Sequence, residues 1–302
     1  MPEASGSLRG RVVAGHGRHY TVELEDGSLR KCFPRGKKGD AAVGDYVFIT
    51  PQGHDEGAIE RIAPRRNLLF RSDEMRSKQF AANVDQLLIV VATEPFFSED
   101  LLGRALVAAW SADIAPIIVL NKIDIRDKLD AARQRLADLR ALDVPIVEIS
   151  ALHAQAVPEH ILPLLQDKTT LLLGQSAMGK STLLNALVPQ AQAPTQEHSR
   201  ALGAGKHTTT STRLYHLPDD SGDIIDSPGF QAFGLFHLNA TDIERGFPEF
   251  TEVIRHCRFY NCTHRHEPGC GVLAALERKE ITPARHALYV RILEENESRR
   301  RY

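Results

Sequence analysis

No stretch of the 302 residues approaches the roughly 18–20 consecutive apolar residues that cross a bilayer, so no membrane-spanning helix is expected. The first ten residues hold no apolar core of the kind a secretory leader carries, and no leader is expected. Charge of one sign is scarce as well: 37 Lys and Arg stand against 39 Asp and Glu, a net charge of -2. Any nucleic-acid surface must therefore come from local clustering of basic residues, not from bulk charge. Four cysteines are too few to staple a chain of this length, and three of them lie between positions 257 and 270 among several histidines. That crowding favours a metal site in a reducing cytosol over a disulfide framework. Internal repeats and low-complexity tracts are absent. What remains, 42% apolar and 25% charged residues, suits a soluble chain with one large core and one or two small modules.

Up to about position 64 the pattern is one of short strands. Tyr20, Val22 and Leu24 alternate with polar residues, and Asp26-Gly27 marks a hairpin turn. Residues 45–50 and 58–62 read as further strands. A small barrel of about five strands follows, with OB and SH3-like forms both open at this point; an OB-fold would suit oligonucleotide binding. The basic run Arg35-Gly36-Lys37-Lys38-Gly39 fits either a solvated hairpin tip or an RNA contact. Residues 67–83, with Arg71, Arg76 and Lys78, read as a polar connector. Beyond it, strands at 87–92, 117–120, 145–149 and 170–173 alternate with helices at 101–109, 130–142 and 157–165. This is the pattern of an α/β domain with a mostly parallel sheet. After Phe236 the alternation stops, and a Cys/His-rich segment leads into a charged helical tail. The expected division is a barrel at 1–66, the α/β domain at 67–235 and a small helical module at 236–302.

The α/β part carries the chemistry. Gly174-Gln175-Ser176-Ala177-Met178-Gly179-Lys180-Ser181, with Thr182 behind it, fits the P-loop pattern between a strand and a helix. Backbone N–H groups of such a loop wrap the β-phosphate at the positive end of the following helix. Lys180 would reach the β- and γ-oxygens, and the Ser181 hydroxyl would bind Mg²⁺. Asn121-Lys122-Ile123-Asp124 directly follows the strand at 117–120 and reads as the guanine-selecting motif. Its Asp accepts from the guanine N1–H and 2-amino group, a donor pair adenine does not offer, which opposes an ATPase. Ser150-Ala151, at the end of the next strand, matches the element whose backbone meets the guanine oxygen. Asp226 in Asp226-Ser227-Pro228-Gly229 would hold Mg²⁺ through water, with the Gly229 N–H at the γ-phosphate. Between P-loop and D-x-P-G, Gly205-Lys206-His207-Thr208-Thr209-Thr210 reads as a switch, with Thr209 or Thr210 on Mg²⁺. The guanine-reading elements precede the phosphate-binding ones, the reverse of the usual order. One sheet still accommodates them, because joining old termini and opening new ones at the surface is tolerated.

With these motifs in hand, the chain resembles the bacterial small ribosomal subunit-dependent GTPase A family of circularly permuted GTPases. The likeness covers essentially the whole chain and includes the Gly-Lys-His-Thr-Thr-Thr switch and Asp-Ser-Pro-Gly-Phe. It implies an N-terminal OB-fold, a permuted GTPase domain and a C-terminal α-helical zinc domain. It further implies late maturation of the 30S subunit, contact with 16S rRNA, and GTP hydrolysis to GDP stimulated by that subunit. A cytoplasmic monomer with no membrane partner is expected. Two departures stand out. Ala177-Met178 replace the family's usual Gly-Val, adding a Cβ where the loop usually needs bare backbone. Ala177 also stands where potassium-activated relatives carry Asn, which argues against that route of stimulation.

Phe230 occupies the position at which Ras-like enzymes place a water-orienting Gln. His207 is the leading alternative, because an imidazole near neutral pKa can position or deprotonate water; Gln231 is a weaker one. The runner-up is a nucleotide-gated RNA-binding scaffold with negligible turnover, which Phe230 favours. For the metal, Cys257, Cys262 and Cys270 with one histidine make a Cys₃His set typical of closed, structural zinc. His256, His264 and His266 compete on sequence grounds, and the resemblance selects His264. Cys32 stands alone in the barrel and reads as an ordinary buried thiol.

Overall fold

The computed structural model describes residues 7–35, 41–72, 77–140, 142–153, 155–193, 211–228 and 234–300. Its first part is built from β1 (Leu8–Gly15), β2 (Tyr20–Leu24), β3 (Leu29–Pro34), β4 (Tyr46–Gln52) and β5 (Glu56–Ile62). β1 pairs antiparallel with both β2 and β4, β3 runs parallel to β5, and β4–β5 completes the circuit. That closed order, 1-2-3-5-4-1, is OB-like and resolves the choice between barrels. Alternation fills the interior: Val12, Val22, Cys32, Val47 and Ile49 have no exposed surface. Burial pushes the Cys32 thiol up to about 11, as befits a packing residue. Most of the basic loop at 35–39 lies outside the described residues; Arg35 itself pairs with Glu60.

The segment expected to be a connector is a hairpin of β6 (Leu68–Ser72) and β7 (Ser77–Ala82). Leu69 and Phe80 are buried in it. Two asparagines clasp its base: Asn67 Nδ2 donates to the Val84 carbonyl at 2.8 Å, and the Arg66 N–H donates to Asn83 Oδ1 at 2.9 Å. Arg65 then grips the fully buried Asp45 through Nε and a terminal nitrogen, both at 2.7 Å, tying hairpin to barrel.

The α/β part has β8 (Gln86–Ala92), α1 (Glu99–Ser111), β9 (Ala115–Asn121), α2 (Arg126–Arg135), α3 (Ala137–Arg140), β10 (Ile146–Glu148), α4 (Ala156–Leu165), β11 (Thr169–Gly174), α5 (Lys180–Leu187), β12 (Arg213–His216) and β13 (Asp223–Asp226). The single helix expected at 130–142 is thus two, starting earlier and broken at Leu136, which is fully buried. Strand order is β10-β9-β8-β11-β13-β12, parallel except for β12. β8, β9 and β11 are continuous apolar runs because a parallel sheet is covered on both faces. The chain moves from β8 outward to β10, then returns past β8 to β11. With right-handed crossovers, α1 falls on one face and α4 and α5, which touch each other, on the opposite one. A crevice therefore opens between the loops that leave β8 and β11.

β12 meets β1 of the barrel at Ala14 and Arg213, so the barrel and the α/β sheet form one hydrogen-bonded surface. Side chains reinforce the joint. Arg11 donates to Asp223 at 2.5 Å and to Thr169 at 2.8 Å, and His216 stands between Asp223 at 2.7 Å and Glu23 at 2.8 Å.

The C-terminal part holds α6 (Ala240–Arg245), α7 (Gly271–Glu277) and α8 (Pro283–Arg300). Asn239 and Asp242 form a capping box at the start of α6. α6 and α8 pack on α1, and Gly103 permits the approach: a Cβ there would stand 2.5 Å from Leu288 Cδ2. Arg104 of α1 binds Asp100 at 2.8 Å and Glu295 of α8 at 2.6 Å. Phe247, Phe250 and Tyr289 fill the module's core. No described helix is long and apolar enough to cross a membrane.

Candidate nucleotide site and metal centre

Residues of three separate loops meet at the C-terminal ends of β8, β9 and β11. Asn121, 1% exposed at the end of β9, donates from Nδ2 to the Met178 carbonyl at 2.9 Å. Its Oδ1 accepts from the Lys122 and Ala151 N–H groups at 2.8 and 2.9 Å. Lys122 reaches across the P-loop, donating to the carbonyls of Ala177 and Glu94, both at 2.8 Å. Burial pulls its ammonium below the usual lysine value, while Glu94 and Asp124 pull it back up. Two of the motif's residues thus hold the P-loop in place. The third, Asp124, accepts from Ser150 Oγ at 2.5 Å and has no other side-chain hydrogen bond among the described residues. Ser150 thus fixes the rotamer of the carboxylate expected at guanine.

The phosphate end is equally organised. Gly179 takes a φ of +87°, and a Cβ on it would lie 2.2 Å from Asn121 Nδ2, so only glycine serves here. Ala177 also has a positive φ, +69°, and carries its methyl group nonetheless. α5 begins at Lys180, directing its unpaired N–H groups toward the loop. Lys180 and Asp226, 8% and 2% exposed, form a buried ion pair. They are the residues expected at the β/γ-phosphate and at Mg²⁺, and each neutralises the other where those charges belong. The Ser181 hydroxyl on the first turn of α5 and the Asp226 carboxylate are hard oxygen donors of the kind Mg²⁺ takes. Ser227 is buried and donates to the Leu172 carbonyl at 2.8 Å, locking the end of β13 to β11.

Several contributors carry no motif. Gln175 accepts from the Ser98 N–H at 2.7 Å, bridging the crevice to the residue that caps α1. Thr93 donates to the Lys122 carbonyl at 2.8 Å. A side-chain-to-backbone bond across 77 residues leaves no local pattern, so only the three-dimensional structure reveals the Gln175–Ser98 strut. His207, Thr208, Thr209, Thr210, Gly229, Phe230 and Gln231 lie outside the described residues.

In the C-terminal part the ligand atoms of Cys257, Cys262, His264 and Cys270 all lie within 4.8 Å of one another. His264 Nδ1 is 3.4 Å from Cys270 Sγ and 3.6 Å from Cys257 Sγ. Tetrahedral zinc with Zn–S near 2.3 Å spaces its ligands about 3.5–3.8 Å apart, so the set fits. Burial pushes the Cys262 thiol up to about 12, with the Cys270 and Cys257 sulfurs adding to it, and burial raises Cys270 as well. Crowded thiols ionise together only around a cation, which a divalent metal supplies. The Gly271 and Leu273 N–H groups point at the Cys257 and Cys270 sulfurs, at 3.3 and 3.5 Å. His264 turns its Nε2 to Glu244 of α6 at 2.9 Å, leaving Nδ1 for the metal. His256 and His266 are exposed and outside the cluster. Glu244, twenty positions before His264, gave no sign in the sequence of this orienting role.

A P-loop on one strand, bound by Asn and Lys side chains of a guanine motif earlier in the chain, defines a circularly permuted P-loop GTPase. A sequence model of the RsgA GTPase family matches residues 62–236, and the chain belongs to that family. It is 69% identical to the small ribosomal subunit biogenesis GTPase RsgA of Bordetella pertussis over 299 residues, 99% of this chain and 100% of that one. The protein of the same name from Burkholderia pseudomallei is 56% identical over 298 residues, 97% and 95% of the two chains. The crystal structure of YjeQ from Thermotoga maritima matches with a TM-score of 0.73 at 32% identity, covering 96% of this chain and 98% of that one. YloQ, described as a circularly permuted GTPase, matches at 0.71 and 29% identity, covering 99% and 98%.

Proposed function

We infer that this chain hydrolyses GTP and acts in biogenesis of the small ribosomal subunit. The observation that carries the reading is the joint at the nucleotide site: Asn121 and Lys122 lock the P-loop, while Asp124, held by Ser150, is kept for the base. Guanine specificity and phosphate binding are thereby one rigid unit. The near full-length likeness to relatives named for small-subunit biogenesis supports the cellular role.

In this reading the chain divides into a barrel at 1–66, a GTPase domain at 67–235 and a zinc-bearing module at 236–302. The P-loop residues 174–182 take the phosphates, with Ser150-Ala151 at the guanine oxygen. Lys180 leaves Asp226 for the β- and γ-phosphates when nucleotide enters. Ser181 and Asp226, with Thr209 or Thr210, hold Mg²⁺, which neutralises phosphate charge when bound. The Gly229 N–H meets the γ-phosphate, and His207 positions the attacking water. Zinc on Cys257, Cys262, His264 and Cys270 supplies structure, since four protein ligands leave no open position. The partner is the 30S subunit through 16S rRNA, in the cytoplasm, with one copy of the chain acting at a time. GTP favours docking and hydrolysis favours departure. No described residue favours the scaffold without turnover.

The test is GTP turnover by the purified protein, alone and with 30S or 50S subunits. A rise specific to 30S, reduced at least tenfold in His207→Ala, is expected. Equal rates under all three conditions would remove the ribosome-triggered mechanism.

A further inference from the structure

Between the ligands Cys257 and Cys262 the chain makes a four-residue tip, Arg258-Phe259-Tyr260-Asn261. Tyr260 is 103% exposed and Phe259 41%. Among the described residues after position 236 they are the only exposed large apolar side chains. The Arg258 guanidinium lies 5.5 Å from the Phe259 ring centroid and has no carboxylate partner among the described residues. From Val253 to His266 the sequence contains three Arg, three His and no acidic residue, in a chain of net charge -2.

The tip is held still although its rings stand in water. Both of its ends adjoin cysteines of the candidate metal cluster. The Arg258 N–H donates to the Gly269 carbonyl at 3.0 Å, and the Cys262 N–H donates to the Phe259 carbonyl at 3.3 Å. The opposite arm of the same loop is pinned by Glu267, which accepts from the N–H groups of Thr263 at 2.8 Å and Arg265 at 3.1 Å. Arg265 and His266 on that arm line an open groove with His286, Arg291 and Glu294. Rigid presentation lowers the ordering cost of any contact the rings make.

We propose that this tip is a base-stacking platform for unpaired nucleotides of the small subunit's RNA, with Tyr260 and Phe259 under the bases and Arg258 on the backbone. The proposal rests on the small-subunit partner inferred above. A protein partner would be met by a contiguous apolar patch with pockets. Two upright rings beside Arg258, in a stretch from 253 to 266 without acidic residues, suit π-faces strung on a polyanion instead.

The experiment measures 30S affinity, with a non-hydrolysable GTP analogue bound, for wild type, Tyr260→Ala, Tyr260→Trp and Arg258→Glu. Zinc content and melting temperature are read on each. Tyr260 packs against nothing in the core, so both should match wild type in its variants. Tyr260→Ala should weaken 30S binding about 5- to 150-fold, the range for one lost stack, and Tyr260→Trp should retain it. Ultraviolet crosslinking of wild type should join Tyr260 to a nucleotide. Binding by Tyr260→Ala within twofold of a tightly binding wild type removes the platform alone, and a Tyr260 crosslink to a ribosomal protein does the same. Absence of wild-type binding removes the small-subunit reading and the platform together.

Discussion

At Ala177 the P-loop carries a methyl group into a left-handed backbone conformation. That conformation costs an L-residue roughly 1–2 kcal/mol, and glycine is exempt. The neighbours tolerate it because Lys122 holds the Ala177 carbonyl and Asn121 holds that of Met178. Ala177→Gly should therefore stabilise the native fold. Greater freedom of glycine in the unfolded chain offsets about 0.5–1 kcal/mol of the gain. The expected net effect is a rise in melting temperature of about 1–3 °C with nucleotide affinity kept or improved, read by calorimetry and GDP titration. A lower melting temperature would mean that the methyl group makes contacts worth more than the strain.

Among the elements, the joint of β1, β2, β12 and β13 responds to pH through His216. Burial works against charge on His216, but its hydrogen bonds to Glu23 and Asp223 outweigh that and raise its pKa. Arg11, also bound to Asp223, and Thr169 complete the surroundings. A raised folded pKa means the contribution is fully present below the unfolded value of about 6.5 and is lost as pH rises through the folded one. His216→Gln should thus lower the melting temperature more at pH 6 than at pH 9. The ring is nearly half exposed, so solvent screening keeps the difference to a degree or two. An equal loss at both pH values would show that His216 serves only by its shape. The pairing across this joint is not visible in the sequence, where β12 has just four residues and its partners in the barrel lie about 200 positions away. The hairpin β6–β7 was hidden for a related reason: its arginines and lysine mask an apolar alternation of only Leu69 and Phe80, and its clasp is made by Asn67 and Asn83. What the sequence did carry are the elements whose chemistry is local. Continuous apolar runs announced β8, β9 and β11, and the glycine and lysine of the P-loop announced the turn into α5. The cysteine spacing was legible too, whereas the residue pattern alone left His256, His264 and His266 open and only the resemblance selected His264, whose ring nitrogens lie between sulfur and Glu244.

For the molecule as a whole, the strand order holds a consequence for how the chain is made. Within the α/β part, translation delivers β8, β9 and β10 first, and these are neighbours at one side of the sheet. β11 then adds to the open side of β8, and the β12–β13 pair adds to β11 last. Each arriving strand finds its partner already exposed from the exit tunnel, so the sheet can grow during synthesis first on one side of β8 and then on the other. In the usual motif order the P-loop strand would emerge first and wait for both neighbours. A nascent fragment ending after Gly174 should accordingly protect the amides of β8 and β9 from hydrogen exchange, while β11 stays open along the side that β13 will cover. Unprotected β8 and β9 in that fragment would mean that the sheet closes only once β13 has left the ribosome.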